Sequence, residues 1–194
     1  MQPSALLFDL DGTLTEPLLD FPAIKADIGI GDQPILEAIA KMDPAGQKRA
    51  MDVLHGHEER AADHSTLNIG CSELLDWIVA REIPMALITR NSRRSAEMVL
   101  ARHGLKIEVL LTRDEGMFKP DPRPLLVACN KLEVDPYKAW MIGDGQYDIE
   151  AGLAAGMKTV WISHGKTREF NAQPWQTVPD LTGLLNLLQT CVSA

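Results

Sequence analysis

Ala5-Leu6-Leu7-Phe8-Asp9-Leu10-Asp11-Gly12-Thr13 decides how the rest of the chain is read. Four apolar residues run into a carboxylate, a second carboxylate follows two positions on, and Gly-Thr closes the stretch. The run is too short for a helix and suits a strand buried on both faces, ended by a turn at Gly12. Asp9 and Asp11 then stand at the carboxyl end of a buried strand, where open α/β sheets place their ligands. Two carboxylates there repel one another and are poorly solvated, so the pair requires a cation or one member held protonated. Taken alone, the stretch also fits a capping pair that only shapes the turn.

Downstream, strands and helices alternate. Ser72 is the expected N-cap of a helix through Val79, and Met85–Thr89 is a buried strand ending in a hydroxyl. A helix with Met98, Val99 and Leu100 stops at Gly104, and Val109–Thr112 is the next strand. Pro122–Leu132 reads as a helix and Ala139–Ile142 as a strand entering Gly143-Asp144. Tyr147–Ala155 reads as a helix, Thr159–Ile162 as a strand and Leu181–Leu188 as the last helix. This alternation predicts an α/β fold, a doubly wound parallel sheet of Rossmann-like type.

Residues 15 to 70 break the rhythm. Pro, Gly and Asp crowd residues 15 to 33; Asp32 then reads as an N-cap ahead of Pro34 and a helix through Met42. Asp43-Pro44 starts a second helix, weakened by Gly46 and Gly56. The expected organisation is a core of residues 1–14 and 71–194 with a small α-helical cap at 15–70 inserted after the first strand.

In a parallel sheet the carboxyl ends of the strands lie along one edge. Asp9, Asp11, Thr89, Asp144 and Asp148 are expected to converge there, with Lys119 of Phe118-Lys119-Pro120-Asp121-Pro122 as the ammonium. Carboxylates, one hydroxyl and one ammonium suit Mg²⁺ and a phosphoryl group, because Mg²⁺ favours a few carboxylates plus water and phosphate oxygens.

Composition narrows the partners. The 194 residues carry a net charge of −8, which argues against nucleic acid because its binders need a basic face. A small anionic substrate remains compatible through local cations and backbone N–H groups. The three cysteines show no paired spacing and read as reduced thiols. No signal peptide or membrane-length segment is visible, so a soluble cytoplasmic protein is expected.

Asp9-Leu10-Asp11-Gly12-Thr13, Leu87-Ile88-Thr89, Lys119-Pro120-Asp121-Pro122 and Gly143-Asp144-Gly145-Gln146-Tyr147-Asp148 resemble, in order, the four motifs of the haloacid dehalogenase superfamily. The resemblance implies that Asp9 is the nucleophile, taking the phosphoryl group as an aspartyl phosphate, and Asp11 the general acid and base. It implies that Thr89 and Lys119 bind the phosphoryl oxygens, and that Mg²⁺ is held by Asp9, the Asp11 carbonyl, Asp144 and Asp148. The expected reaction is hydrolysis of a small phosphate ester, phosphoglycolate- or sugar-phosphate-like, with a phosphomutase as the rival enzyme. A dehalogenase is disfavoured because a halide needs no proton from Asp11, and nothing marks Lys25, Lys41 or Lys48 as a Schiff-base lysine of a phosphonatase. From another class, a phospho-accepting signalling domain also gathers carboxylates, a Thr and a Lys around Mg²⁺.

One departure stands out. Relatives often carry Asn directly after the motif threonine, whereas Arg90 intervenes here before Asn91. Arg90 has two readings, a substrate-phosphate ligand or a cap on the following helix. His55, His57 and His64 lack metal-ligand spacing and read as a solvated or cleft-lining helix face.

Overall fold

The computed structural model describes residues 2–192. Its centre is β1 (Ala5–Phe8), whose four residues are all buried. Side chains alternate along it: Leu6 and Phe8 enter one apolar cluster, Ala5 and Leu7 the other. The same alternation holds in β2 (Met85–Ile88) and β4 (Ala139–Gly143), so apolar residues on both sides of one ribbon seal the sheet between two helical layers. With β3 (Val109–Leu111), β5 (Lys158–Ile162) and β6 (Gln176–Val178) the sheet runs β3-β2-β1-β4-β5-β6. Every pairing is parallel.

Eight helices appear among the described residues. The insert holds α1 (Phe21–Ile28), α2 (Ile35–Ile39) and α3 (Pro44–His64). Further on come α4 (Cys71–Val79), α5 (Arg93–His103), α6 (Arg123–Lys131), α7 (Gln146–Ala154) and α8 (Leu181–Val192). Leu74 and Ile78 of α4, Val99 of α5 and Leu184 of α8 cover one face; Leu125 of α6 and Ala151 of α7 cover the other. Burying a Leu or Ile of this kind is worth roughly 1.5–3 kcal/mol, so the sandwich is the main source of stability.

Reversal of the strand order between β1 and β4 sets the site. β1 pairs with β2 on one side and β4 on the other, and the two flanking halves of the sheet run outward from that junction. Ligands of open α/β sheets bind at such a switch point.

Several local expectations shift. Pro34 occupies the N-cap position of α2, which ends at Ile39, so Asp32 is not its cap and Met42 lies outside it. Gly70, in the left-handed region, precedes α4, and Ser72 sits inside that helix. α3 runs unbroken for 21 residues through Gly46 and Gly56. Gly46 belongs to its first turn, where its N–H donates to the Asp43 carboxylate at 2.6 Å. β6 falls in a stretch without a strand pattern, because its first two residues are exposed. Trp140 and Trp161 are core, and the exposed Trp175 packs on Trp140 with ring centroids 4.7 Å apart and planes at 60°.

Residues 15–70 leave and rejoin the sheet at one point. Thr15 bridges both Asp11 and Leu67, and the Asn68 side-chain amide donates to the carbonyls of Thr13 and Thr15 at 2.8 Å each. The three helices bury a cluster of their own, Ile24, Leu36, Ile39, Ala50 and Leu54, against which Phe118 packs from outside the insert. No described helix is long and apolar enough to cross a membrane.

Candidate active site

Sheet geometry delivers the acidic residues to one corner. Asp9 follows β1, its N–H donating to the Ile142 carbonyl at 2.9 Å, and Asp144 follows β4. Asp148 lies in the first turn of α7 and accepts the Gly145 N–H at 3.0 Å. Carboxylate oxygens of Asp9, Asp144 and Asp148 fall within 4.8 Å of one another. The Asp11 carboxylate stands apart from that group and accepts from the Asn91 amide at 2.5 Å.

Two glycines make the crowding possible. Gly12 has φ +78°, and a Cβ there would lie 2.3 Å from Asp144 Oδ2. A Cβ at Gly143 would lie 2.2 Å from Asp148 Cγ. The turns also hold from behind: Trp161 Nε1 donates to the Asp144 carbonyl at 3.0 Å, and His164 Nε2 lies 2.6 Å from the Gly12 carbonyl.

Lys119 is the counter-charge. Its Nζ donates to Asp9 Oδ1 and to Asp148 Oδ1, each at 2.6 Å, and the residue is 1% exposed. Burial alone would push this ammonium down, yet Asp148 and Asp9 hold its pKa above the ordinary lysine value. Burial raises the Asp9 carboxyl to about 7; Lys119 opposes the rise, while Asp148 and Asp144 add to it. Burial likewise raises Asp11 to about 7, with Asp9 adding and the Asn91 hydrogen bond opposing. Asp144 is also brought to about 7 by burial and by Asp148, against Lys119.

One ammonium therefore faces four carboxylates, and no Lys or Arg pairs with Asp144 among the described residues. A hard divalent cation fits this donor set, which offers oxygens alone and is short of positive charge. His55, His57 and His64 lie elsewhere: His57 Nε2 meets Asp27 at 2.8 Å and His64 Nδ1 meets the Arg60 carbonyl at 2.8 Å.

The acidic corner opens into a cavity of about 600 Å³, walled on its far side by Leu19, Phe21, Ile35 and Leu36 of the insert. Thr89, 3% exposed, lies at its floor and accepts the Asn91 N–H at 3.1 Å, leaving its O–H to donate. Arg90 also lines the cavity, but its guanidinium is engaged within the protein. Nη2 donates to both oxygens of Glu37 at 2.9 and 3.0 Å, and Nη1 donates to the Lys119 carbonyl.

Three neighbours of the site were invisible as such in the sequence. Glu58 of α3 is buried and forms a two-nitrogen fork with buried Arg113, while also accepting the Ser92 N–H at 3.2 Å. Arg113 Nη1 also donates to the Arg90 carbonyl at 2.9 Å. His164 is the third. Each depends on a contact between distant segments; Asn91, by contrast, is signalled by its place beside the motif threonine.

A fold of this topology with an acidic corner, a buried lysine and a helical insert over its mouth defines a class of hydrolase. The family model described as haloacid dehalogenase-like hydrolase matches residues 24–162, and the chain belongs to that family. It is 33% identical to N-acetylmuramic acid 6-phosphate phosphatase of Pseudomonas aeruginosa, over 85% of this chain and 84% of that one. It is 27% identical to phosphoglycolate phosphatase of Chromobacterium violaceum, over 95% and 96%. Among solved structures, a hydrolase from Pseudomonas syringae superposes with TM-score 0.82 at 21% identity, covering 96% of this chain and 98% of that one. Membership of a hydrolase family sets the signalling-domain reading aside.

Proposed function

We propose that this chain is a Mg²⁺-dependent phosphatase of small phosphate monoesters working through an aspartyl phosphate. The observation that carries the reading is Asp9, held 2.6 Å from the Lys119 ammonium at the floor of the cavity, with Asp11 on a separate hydrogen bond beside it. An Asp9 oxygen attacks phosphorus while the ester P–O bond breaks, and the leaving oxygen takes the proton of the Asp11 carboxyl. Burial and the neighbouring Asp9 raise the Asp11 carboxyl and favour its protonated form, whereas the Lys119 ammonium 2.6 Å from Asp9 favours the ionised nucleophile. Water then attacks the phosphorus of the aspartyl phosphate and returns its proton to Asp11, freeing Asp9 and inorganic phosphate. Lys119 and the Thr89 hydroxyl hold the phosphoryl oxygens. Mg²⁺, bound by Asp9, Asp144 and the Asp11 carbonyl with Asp148 in support, would neutralise charge between the carboxylates and the incoming dianion. Residues 15–70 act as a cap that limits what enters the cavity and excludes water.

The substrates in the names of the relatives guide the test. Phosphoglycolate, N-acetylmuramic acid 6-phosphate and common sugar phosphates should be screened for phosphate release with and without Mg²⁺. Metal-dependent hydrolysis of at least one small monoester is expected; silence across the panel and with p-nitrophenyl phosphate would reject the reading.

Metal and pH are linked through the same carboxyls. Their pKa values are raised on folding, so the stability they contribute is full below about pH 4 and is lost as pH rises through 7. Mg²⁺ should therefore raise Tm more at pH 8 than at pH 5.5, and in Asp144→Ala the gain should shrink at both. A Mg²⁺-induced shift that is equal at the two pH values, or unchanged in Asp144→Ala, would place the metal elsewhere.

A further inference from the structure

Arg90 touches three segments at once. Its Nη2 holds Glu37 of α2, its Nη1 holds the Lys119 carbonyl, and its guanidinium carbon sits 4.8 Å from the Phe118 ring centroid and 4.3 Å from that of Tyr147. Phe118 precedes Lys119 and Tyr147 precedes Asp148 in the chain. Arg90 thus grips the neighbours of both partners in the Lys119–Asp148 hydrogen bond, and in the same grip holds the insert. Its side chain is 20% exposed and that of Glu37 35%, so the link lies at the cavity wall and water can compete for it. Another charged link from insert to core, Glu58–Arg113, is 2% and 4% exposed and lies fully inside, whereas Glu59–Arg94 lies at the surface.

The Arg90 and Arg113 links differ in kind. A buried fork between α3 and the turn after β3 is a fixed anchor, because opening it strands a charge without water. A partly exposed pair between α2 and the loop after β2, which water reaches at the cavity wall, opens at lower cost than the buried fork. We propose that Arg90 is a positioning residue that ties the seating of α2 over the cavity to the placement of Lys119, with Glu37 as its clasp on the insert. A ligand that seats α2 correctly then also sets the lysine that must meet the phosphoryl group. Lysine cannot replace this arginine, since one ammonium on a flexible stem lacks a planar fork to reach a carboxylate, a carbonyl and two ring faces together.

The kinetic arm of the test rests on the phosphatase reading, whereas the hydrogen-exchange arm does not. Glu37→Gln keeps the shape and removes the charge. In Glu37→Gln and in Arg90→Lys, kcat with p-nitrophenyl phosphate should fall roughly tenfold to a hundredfold while KM barely moves. The double variant should be no worse than either single one, because both cut the same link. In Glu37→Gln, amide exchange should quicken in residues 34–40 and in residues 117–122 together. If Arg90 instead binds the substrate phosphate, Glu37→Gln releases it and KM falls while Arg90→Lys raises KM; that pattern overturns the proposal. Exchange that quickens in residues 34–40 alone, or in neither segment, also overturns it. Should the wild type hydrolyse no ester at all, the phosphatase reading fails and exchange still decides the clasp.

Discussion

Asp11→Asn should release about one nitrophenol per active site from p-nitrophenyl phosphate and then stall. Nitrophenolate leaves without help from an acid, so transfer to Asp9 proceeds in the variant. Hydrolysis of the aspartyl phosphate needs a base for the attacking water, and an amide cannot serve. Alkyl phosphates leave badly without a proton, and with them both steps should slow by roughly a hundredfold or more. Asn preserves the backbone and the size of the side chain, although the Asn91 amide then meets either an oxygen or a nitrogen where it met a carboxylate at 2.5 Å. Rapid-quench kinetics would show the burst, and mass spectrometry of acid-quenched protein should place the phosphate on Asp9. Steady turnover at the wild-type rate without a burst would remove Asp11 from the acid-base role.

The largest effect on stability is expected at Arg113→Met, beside the candidate site. That change leaves the Glu58 carboxylate buried, with the Ser92 N–H at 3.2 Å as its remaining partner. Removing one member of a buried pair costs about 3–5 kcal/mol, because the other charge stays out of water. For a chain of this length the loss corresponds to a fall in Tm of roughly 10 °C. Adding Glu58→Gln should recover most of it, since the amide still accepts from Ser92 and no charge is stranded. Calorimetry would measure both variants; a fall below about 3 °C in the single variant would show that Glu58 finds other partners or water.

The contrast between these variants follows what the sequence can carry. Asp9, Asp11, Asp144 and Lys119 were legible because each sits where a buried strand or a pre-helical turn ends, and a parallel sheet sends such ends to one edge. The Glu58–Arg113 fork was not, for its members lie 55 positions apart and meet only through the rotation of a long helix about its axis. Arg90 fell between the two. Its place after a strand puts it on the sheet edge, but its bonds to Glu37 and the Lys119 carbonyl join segments too distant in the chain to be read from the sequence. Boundaries inside the insert were the least readable: α2 is five residues long, and packing against α3 rather than its own capping signals defines it. β6 has too few buried residues to show a period.

The sheet order has a consequence for how the chain is made. β1 lies between β2 and β4, and Asp9 meets a lysine 110 residues further along. At ribosomal speed β1 therefore emerges roughly ten seconds before the partner on its β4 side exists. During that interval a fully apolar tetrapeptide has an open hydrogen-bonding edge, the kind of segment that chaperones shield and aggregates recruit. Asp9 and Asp11 place like charges directly after that segment, and charges flanking an apolar strand discourage edge-to-edge pairing between neighbouring copies. The carboxylates of the candidate site thus also flank the apolar edge that the unfinished sheet leaves open longest.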